Sequence, residues 1–118
     1  MILLTYDDTT VMPNTDQIQL QRWNGPSFLS ETLMREKLES QGFRCSRLDY
    51  PPGTVFPEHS HEVDKIDAVL TGKFRVTIGE RQFDLMPGDA LYIPRHVTHK
   101  AEVIGDETVT SLDGVKIE

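Results

Sequence analysis

Three histidines have the residue type and the spacing that could bind a divalent metal ion. His59 and His61 stand two positions apart in the stretch 53–61, and His99 follows much later in the chain. Side chains alternate along an extended segment, so we expect the imidazoles of His59 and His61 on one face. Imidazole is a ligand for zinc, iron, copper and nickel. A second strand that brings His99 alongside would complete a three-histidine metal site.

Lys65 is the next residue with possible chemistry, because an unbroken strand would turn it to the same side as His61. Three interpretations stay open. Its ammonium could orient a carboxylate, phosphate or enolate of a ligand as a point charge. It could act as a base or an imine-forming amine in a dry pocket. A bulge after His61 could instead turn it to solvent, and an inward Lys65 could simply be ion-paired with Asp67.

Other polar residues near these positions have simpler interpretations. His96 is expected at the surface or at the rim of the site, not as a ligand, and Glu58 on the face opposite to His59. Asp89 is expected to cap the turn that contains Pro87 and Gly88. Asp64 could join the histidines only if its strand slips by one residue. The single cysteine, Cys45, is either an inert strand residue or a thiol activated by neighbouring arginines.

Composition predicts one domain and excludes some classes of partner. The chain has 118 residues, 37% of them hydrophobic, and a formal charge of -7. This charge argues against a nucleic-acid partner and against an anionic membrane surface. No apolar run approaches the ~20 residues of a membrane span, and the start lacks the basic region of a signal peptide. One cysteine allows no internal disulfide, which fits a cytoplasmic location.

The elements that must position these residues begin with a single helix. Residues 1–16 indicate an edge strand or loosely held arm followed by a loop, and residues 17–23 an edge strand with Ile18 and Leu20 on one side. Ser27 is a plausible N-cap and Gly42 a helix-ending residue, which predicts a helix over 28–41. Its apolar stripe should lie against the outside of a sheet; it comprises Phe28, Leu29, Thr32, Leu33 and Leu38.

After Gly42 the sequence indicates short strands separated by turns. Hairpin turns are expected at Thr71-Gly72, Gly79-Glu80 and Gly105-Asp106. Many short antiparallel strands with one helix predict a sandwich or a closed barrel. The predicted strands are 43–50, a stretch through His59 and His61, 65–70, 73–78, 81–86, 90–93, 99–104 and 108–112.

These spacings over residues 43–112 resemble the two motifs of the cupin superfamily. Gly53, His59, His61 and Gly72 match the first motif, and the matches to the second are Gly88, Pro94 and His99. Three positions depart from the family pattern. Lys65 stands where the family has a metal-ligand Glu, His96 where it has Gly, and Val103 where it has Asn.

The resemblance implies an all-β, cupin-type double-stranded β-helix, or jelly-roll barrel, with one N-terminal helix packed outside. Residues 1–42 would form the arm, edge strand and helix, and residues 43–118 the barrel, within one domain. His59, His61 and His99 would hold Fe, Mn, Ni or Zn, and Lys65 would orient a small, anionic, oxygen-rich molecule. The alternative is a binding or sensing module that works without metal or turnover. The resemblance also implies a homodimer.

Overall fold

A computed structural model of the chain describes residues 17–117, which form nine strands and one helix. The helix α1 spans Glu31–Ser40. The strands are β1 (Gln19–Gln21), β2 (Phe43–Tyr50), β3 (Val55–His59), β4 (Lys65–Thr71), β5 (Phe74–Ile78), β6 (Arg81–Leu85), β7 (Ala90–Ile93), β8 (His99–Val103) and β9 (Val109–Lys116).

The strands form two antiparallel sheets that face each other. One sheet has the order β1-β7-β4-β9-β2 and the other the order β3-β8-β5-β6. From β2 onward, only β5 and β6 are consecutive in the chain and paired with each other. Successive strands therefore pass from one sheet to the other, which is the arrangement of a jelly-roll barrel. The predicted all-β jelly roll with one external helix is confirmed.

Two predicted hairpins are wrong. The Thr71-Gly72 turn joins β4 to β5, and the Gly105-Asp106 turn joins β8 to β9, yet each turn connects strands of different sheets. A glycine at positive φ lets the chain reverse, as at Gly72 (φ 80°), but does not decide which sheet the next strand enters. Only Gly79-Glu80 closes a hairpin, with Ile78 paired to Arg81. The last strand also runs past Leu112 to Lys116.

Strand β4 shows how alternation separates two hydrophobic clusters. Val69 packs into the core between the sheets, whereas Ile66 and Ala68 face the other side, toward α1. The inner core also contains alternate residues of β5, which are Phe74, Val76 and Ile78. Lys65 and Asp67 have the same parity as Val69, so both face inward, into the open end of the barrel.

The helix lies on the outer face of the five-stranded sheet, as predicted, but begins three residues later than expected. Ser30 is its N-cap, and the Ser30 hydroxyl accepts a hydrogen bond from the Leu33 N–H at 3.1 Å. Met34 and Leu38 are its fully buried residues, whereas Phe28 precedes the helix and is 65% exposed. The Ser27 cap is therefore wrong, because the capping side chain must stand directly before the first helical turn.

The N-terminal edge strand is shorter than predicted. β1 spans three residues and pairs with β7. Ile18 lies before it and is buried in the inner core, whereas Leu20 is 40% exposed, so the two do not share a buried face. The predicted arm over residues 1–16 lies outside the described residues. Between residues 17 and 117, no helix is both long and apolar enough to cross a membrane.

Candidate metal centre

Two sheet positions and one loop bring the three histidines together. His59, the last residue of β3, is the direct cross-strand partner of His99, the first residue of β8. Their ring centroids lie 4.3 Å apart, and His61 lies 4.9 Å from His59 and 5.4 Å from His99. We call these three residues the histidine group. One nitrogen of each lies within 4.8 Å of the others.

His61 reaches this position by a different route from the one predicted. β3 ends at His59, so His61 belongs to the loop that follows and not to one extended segment. The loop is tied to the loop before β8, because the His96 N–H donates to the His61 carbonyl at 2.8 Å. His96 itself is exposed and has φ 68°, in the left-handed region that favours glycine.

Backbone carbonyls fix the ring tautomers of His59 and His99. The Nδ1 of His59 lies 2.8 Å from the Pro57 carbonyl, and the Nδ1 of His99 lies 2.9 Å from the Val97 carbonyl. A carbonyl can only accept, so each Nδ1 carries the hydrogen and each Nε2 keeps a free lone pair. This carbonyl support of one ring nitrogen is common among metal-ligating histidines. Pro57 is tolerated in β3 because the pairing with β8 is irregular between Phe56 and His59.

Burial keeps two of the imidazoles neutral, which is the form that binds metal. Desolvation is the main cause that lowers the pKa of His61, and Lys65 and the other two histidines lower it further. Desolvation also lowers the pKa of His99, which is 4% exposed, against the opposing effect of the Val97 carbonyl. Both rings therefore keep a free lone pair at neutral pH.

The donor set fits a divalent transition metal. Three neutral imidazoles with open further positions are a known zinc arrangement, and the same ligands suit iron, nickel and copper. Two nitrogens bound to one tetrahedral zinc ion lie roughly 3.4 Å apart, so small ring rotations suffice for a common ion. Among residues 17–117, no Asp, Glu or Cys joins the group.

The carboxylates nearest in sequence have other partners. The Asp64 Oδ1 accepts from the Arg95 backbone N–H at 2.8 Å, which ties the same two loops together. Asp64 therefore does not replace the family glutamate, and β4 does not slip by one residue. Glu58 is exposed, as predicted for a residue that faces away from the site.

The histidine group lines a cavity of about 240 Å³ between the two sheets. Its walls are apolar and aromatic toward one side. Tyr50 contacts Phe56 edge-on at 4.9 Å and stacks on Phe74 at 5.5 Å between ring centroids. Apolar walls with a few converging polar groups are typical of a small-molecule site. The lining residues are Leu48, Tyr50, Phe56, His59, His61, Lys65, Asp67, Phe74, His99, Ala101 and Asp113.

Lys65 faces this cavity, with 12% of its side chain exposed, so the solvent-facing alternative is wrong. Its ammonium lies 2.7 Å from Asp113 Oδ1 and 2.8 Å from Oδ2. The ion-pair partner is thus Asp113 of β9 and not Asp67, the partner considered from the sequence.

Asp67 completes a polar cluster with this ion pair. It stands directly opposite Asp113 on the neighbouring strand, and both carboxyls line the cavity together with Lys65. Burial and the Asp113 charge raise the pKa of Asp67 to about 7, against the opposing charge of Lys65. A hydrogen bond between two carboxyls requires that one is protonated, so Asp67 can donate to Asp113 only while it holds its proton, below about pH 7. We call Asp67 and Asp113 the carboxyl pair.

Two predictions away from the cavity are settled by the structure. Asp89 caps its turn, because its Oδ2 accepts from the Met86 N–H at 2.9 Å. Cys45 is buried among the residues under α1, and burial raises the pKa of its thiol. The activated-thiol interpretation of Cys45 is therefore wrong.

Sequence reasoning missed Tyr50 and Asp113 as cavity residues. The sequence indicates Tyr50 only as the end of a strand, and the predicted last strand stops one residue before Asp113. The missed signal was the run from Val109 to Lys116, in which an isolated Asp interrupts an otherwise strand-like pattern. Burial and the carboxyl pair raise the pKa of the Tyr50 phenol, so its hydroxyl stays protonated.

Comparison with known proteins agrees with this fold. The cupin domain family matches residues 46–114, more than half of the chain. The chain therefore belongs to the cupin domain family.

Solved structures of cupins share the fold at low sequence identity. A cupin 2 domain-containing protein from Halorhodospira halophila superposes with a TM-score of 0.63 at 21% identity, covering 86% of this chain and 76% of that one. A cupin superfamily protein from Desulfitobacterium hafniense gives 0.58 at 18% identity, covering 93% and 84%.

One curated relative is a regulator. The HTH-type transcriptional activator RhaS of Mannheimia succiniciproducens is 34% identical over 61 residues, which are 52% of this chain and 23% of that protein.

Proposed function

We propose that the histidine group binds one divalent transition metal ion, Fe, Mn, Ni or Zn, and that this ion acts on a small, oxygen-rich molecule. The observation that carries the proposal is the convergence of three imidazole nitrogens within 4.8 Å, two of them with tautomers fixed by carbonyls. When bound, such an ion would act as a Lewis acid toward the ligand's oxygen atoms. Three neutral ligands leave the ion at +2, which favours a ligand that is anionic once bound.

Lys65 has the role of a ligand-orienting residue in this proposal. Its ammonium has three donors, and the ion pair with Asp113 leaves capacity for a ligand oxygen in the cavity. The pairing also reduces its value as a free positive charge. The cavity of about 240 Å³ exceeds the about 150 Å³ that accommodates benzene in an engineered cavity, so one small ring with substituents fits.

Calorimetric titration with zinc at pH 7.5 tests the metal site. The wild-type protein should bind one equivalent, and His99→Gln should weaken binding at least 100-fold, beyond the roughly 10- to 100-fold loss that outer-shell changes cause. His96→Gln is the matched control, because His96 is exposed and outside the histidine group. His61→Gln, in a loop, repeats the test if loss of the buried His99 ring impairs folding.

Absence of zinc binding by the folded wild-type protein would contradict the proposal. Equal weakening by His96→Gln and His99→Gln would contradict it as well, because the ion would then bind elsewhere.

The second candidate is a ligand-sensing module without metal or turnover. The likeness to part of a transcriptional activator favours it. In that case a ligand would raise the melting temperature of metal-free protein, and His59→Ala would leave the ligand affinity unchanged.

Two further expectations belong to either candidate. We propose a homodimer, supported by the short edge strand β1 and the 40% exposure of Leu20. A reducing cytoplasm suits the single cysteine. Sedimentation velocity would test the first point, and a monomer at micromolar concentration would contradict it.

A further inference from the structure

At the floor of the cavity, the positive charge of Lys65 is balanced by the carboxylate of Asp113. Lys65 is held between both oxygens of Asp113 at 2.7 and 2.8 Å. Asp67 adds a second carboxyl directly opposite Asp113. An anionic ligand would therefore meet an ammonium that is already neutralised and a carboxylate that repels it. A ligand that enters neutral meets no such penalty.

The same floor has room for one additional proton. The carboxyl pair carries one shared proton or none, and burial together with mutual repulsion raises the pKa of Asp67 to about 7. Above neutral pH the pair is mostly without that proton and can accept one. The facing ionisable groups come from β2, β3, β4, β8 and the loop after β3, and are Tyr50, His59, Lys65, His99 and His61.

We propose that the carboxyl pair takes up the proton that a neutral, weakly acidic hydroxyl compound loses when it binds beside the histidine group. In this step the ligand O–H bond breaks, its electron pair stays on the ligand oxygen, and a new O–H bond forms on a carboxylate oxygen of the pair. No proton enters the buffer. Lys65 is a positioning residue, because it holds Asp113 and lies beside the resulting oxyanion.

The ligand class follows from the cavity as well as from the proton acceptor. The aromatic wall formed by Tyr50, Phe56 and Phe74 offers ring faces and edges to an apolar body. The opposite side offers the histidine group and the carboxyl pair. A one-ring phenol, catechol or similar enediol presents both halves, an apolar body and adjacent weakly acidic hydroxyls. This inference rests on the proposed metal site for its oxygen-binding side.

Calorimetry with catechol, under nitrogen at pH 8, tests the proton transfer. Each titration is run in two buffers of different ionisation enthalpy, because the difference in heat gives the number of protons released. Zinc-loaded wild-type protein should release close to zero protons per catechol bound. Asp67→Asn should release close to one, since the second carboxyl is lost and both oxygens of Asp113 are already engaged by Lys65. Asp84→Asn is the matched control on the outer surface and should behave as wild type.

Benzoate serves as a second ligand in this test, because it has the same six-membered ring as catechol but enters as an anion. Catechol should bind at least tenfold more tightly than benzoate, whereas a free Lys65 clamp would reverse this order. Asp113→Asn replaces Asp67→Asn if that variant fails to fold, and the same release of one proton is expected.

The outcomes separate this inference from the proposed function. Failure to bind zinc would contradict the metal site alone. The catechol titration of metal-free protein would then test the inference about the carboxyl pair. Release of about one proton by the wild type, tighter binding of benzoate, or no catechol binding in either form would overturn the inference even if zinc binds.

Discussion

His96 shows how a single departure from a family motif becomes intelligible in the structure. The family pattern has glycine at this position, and His96 adopts φ 68°, where a side chain is strained. The side chain is exposed, so what the position must supply is its backbone N–H, which donates to the His61 carbonyl.

We therefore expect His96→Gly to raise the free energy of unfolding by roughly 0.5–1 kcal/mol, because relief of the left-handed strain exceeds the entropy cost of glycine. His96→Ala, which keeps the strain, should give no gain. Urea denaturation measures both, and equal stability of His96→Gly and His96→Ala would contradict the explanation.

The carboxyl pair makes a prediction about pH. The pKa of Asp67 is raised to about 7 in the folded protein, above the 3.8 of an ordinary Asp. The folded state therefore holds a proton that the unfolded state has lost, and this contribution to stability disappears as pH rises from about 4 through 7.

Relative to Asp67→Asn, whose amide also donates to Asp113, the wild type should lose up to about 1.4 kcal/mol per pH unit in this window. Comparison with the variant cancels the opposite slope from the lowered pKa values of His61 and His99. Urea denaturation from pH 5 to 8 measures the difference. Parallel stability curves for the two proteins would mean that Asp67 does not hold a proton.

At this scale the sequence predicted the meeting of the histidines but not the surroundings of Lys65. The cupin motif positions of His59 and His99 were sufficient, because both residues stand at strand ends that pair in the barrel. Lys65 does not share an unbroken strand with His61, because residues 60–64 form a loop; it faces the cavity through its position in β4. Asp113 comes from a strand far away in sequence, and no local pattern connects it to Lys65.

Among the elements, α1 shows that the local sequence does not determine at which residue a helix begins. Ser27 and Ser30 are both good N-cap types, and both are followed by a carboxylate within four residues. The structure places the cap at Ser30. The helix that follows this cap buries Met34 and Leu38 against the outer face of the five-stranded sheet. Tertiary packing, absent from a local pattern, decides between the two serines.

The expected consequence is that Ser30→Ala lowers the free energy of unfolding by about 1 kcal/mol, through loss of the hydrogen bond to the Leu33 N–H. Ser27→Ala should stay within roughly 0.5 kcal/mol of wild type, as for most surface changes. Thermal denaturation of the two variants measures this contrast. A larger loss for Ser27→Ala would place the cap where the sequence first suggested.

For the whole molecule, the number of strands and the turns between them were accessible from sequence, whereas the pairing was not. Period-2 alternation and glycine turns are local, so β5 and β6 with their Gly79-Glu80 hairpin were predicted correctly. The crossings at Gly72 and Gly105 depend on which sheet buries the next strand, and this is a property of the closed barrel. Only the resemblance to cupins supplied that information.

The closed barrel also brings residues that are distant in sequence together in one site. β3 and β8 bring two histidines, while β4 and β9 of the opposite sheet bring Lys65 and the carboxyl pair to the same cavity. The face proposed to bind metal and the face proposed to accept a proton thus lie on different sheets. Our account depends on the first of these faces binding an ion.

Anomalous diffraction at the zinc edge, from crystals grown with one equivalent of zinc, tests this claim most directly. We predict one strong peak within about 2.0–2.1 Å of a ring nitrogen of each of His59, His61 and His99. A peak coordinated elsewhere, or none at the histidine group while zinc binds stoichiometrically in solution, would contradict it.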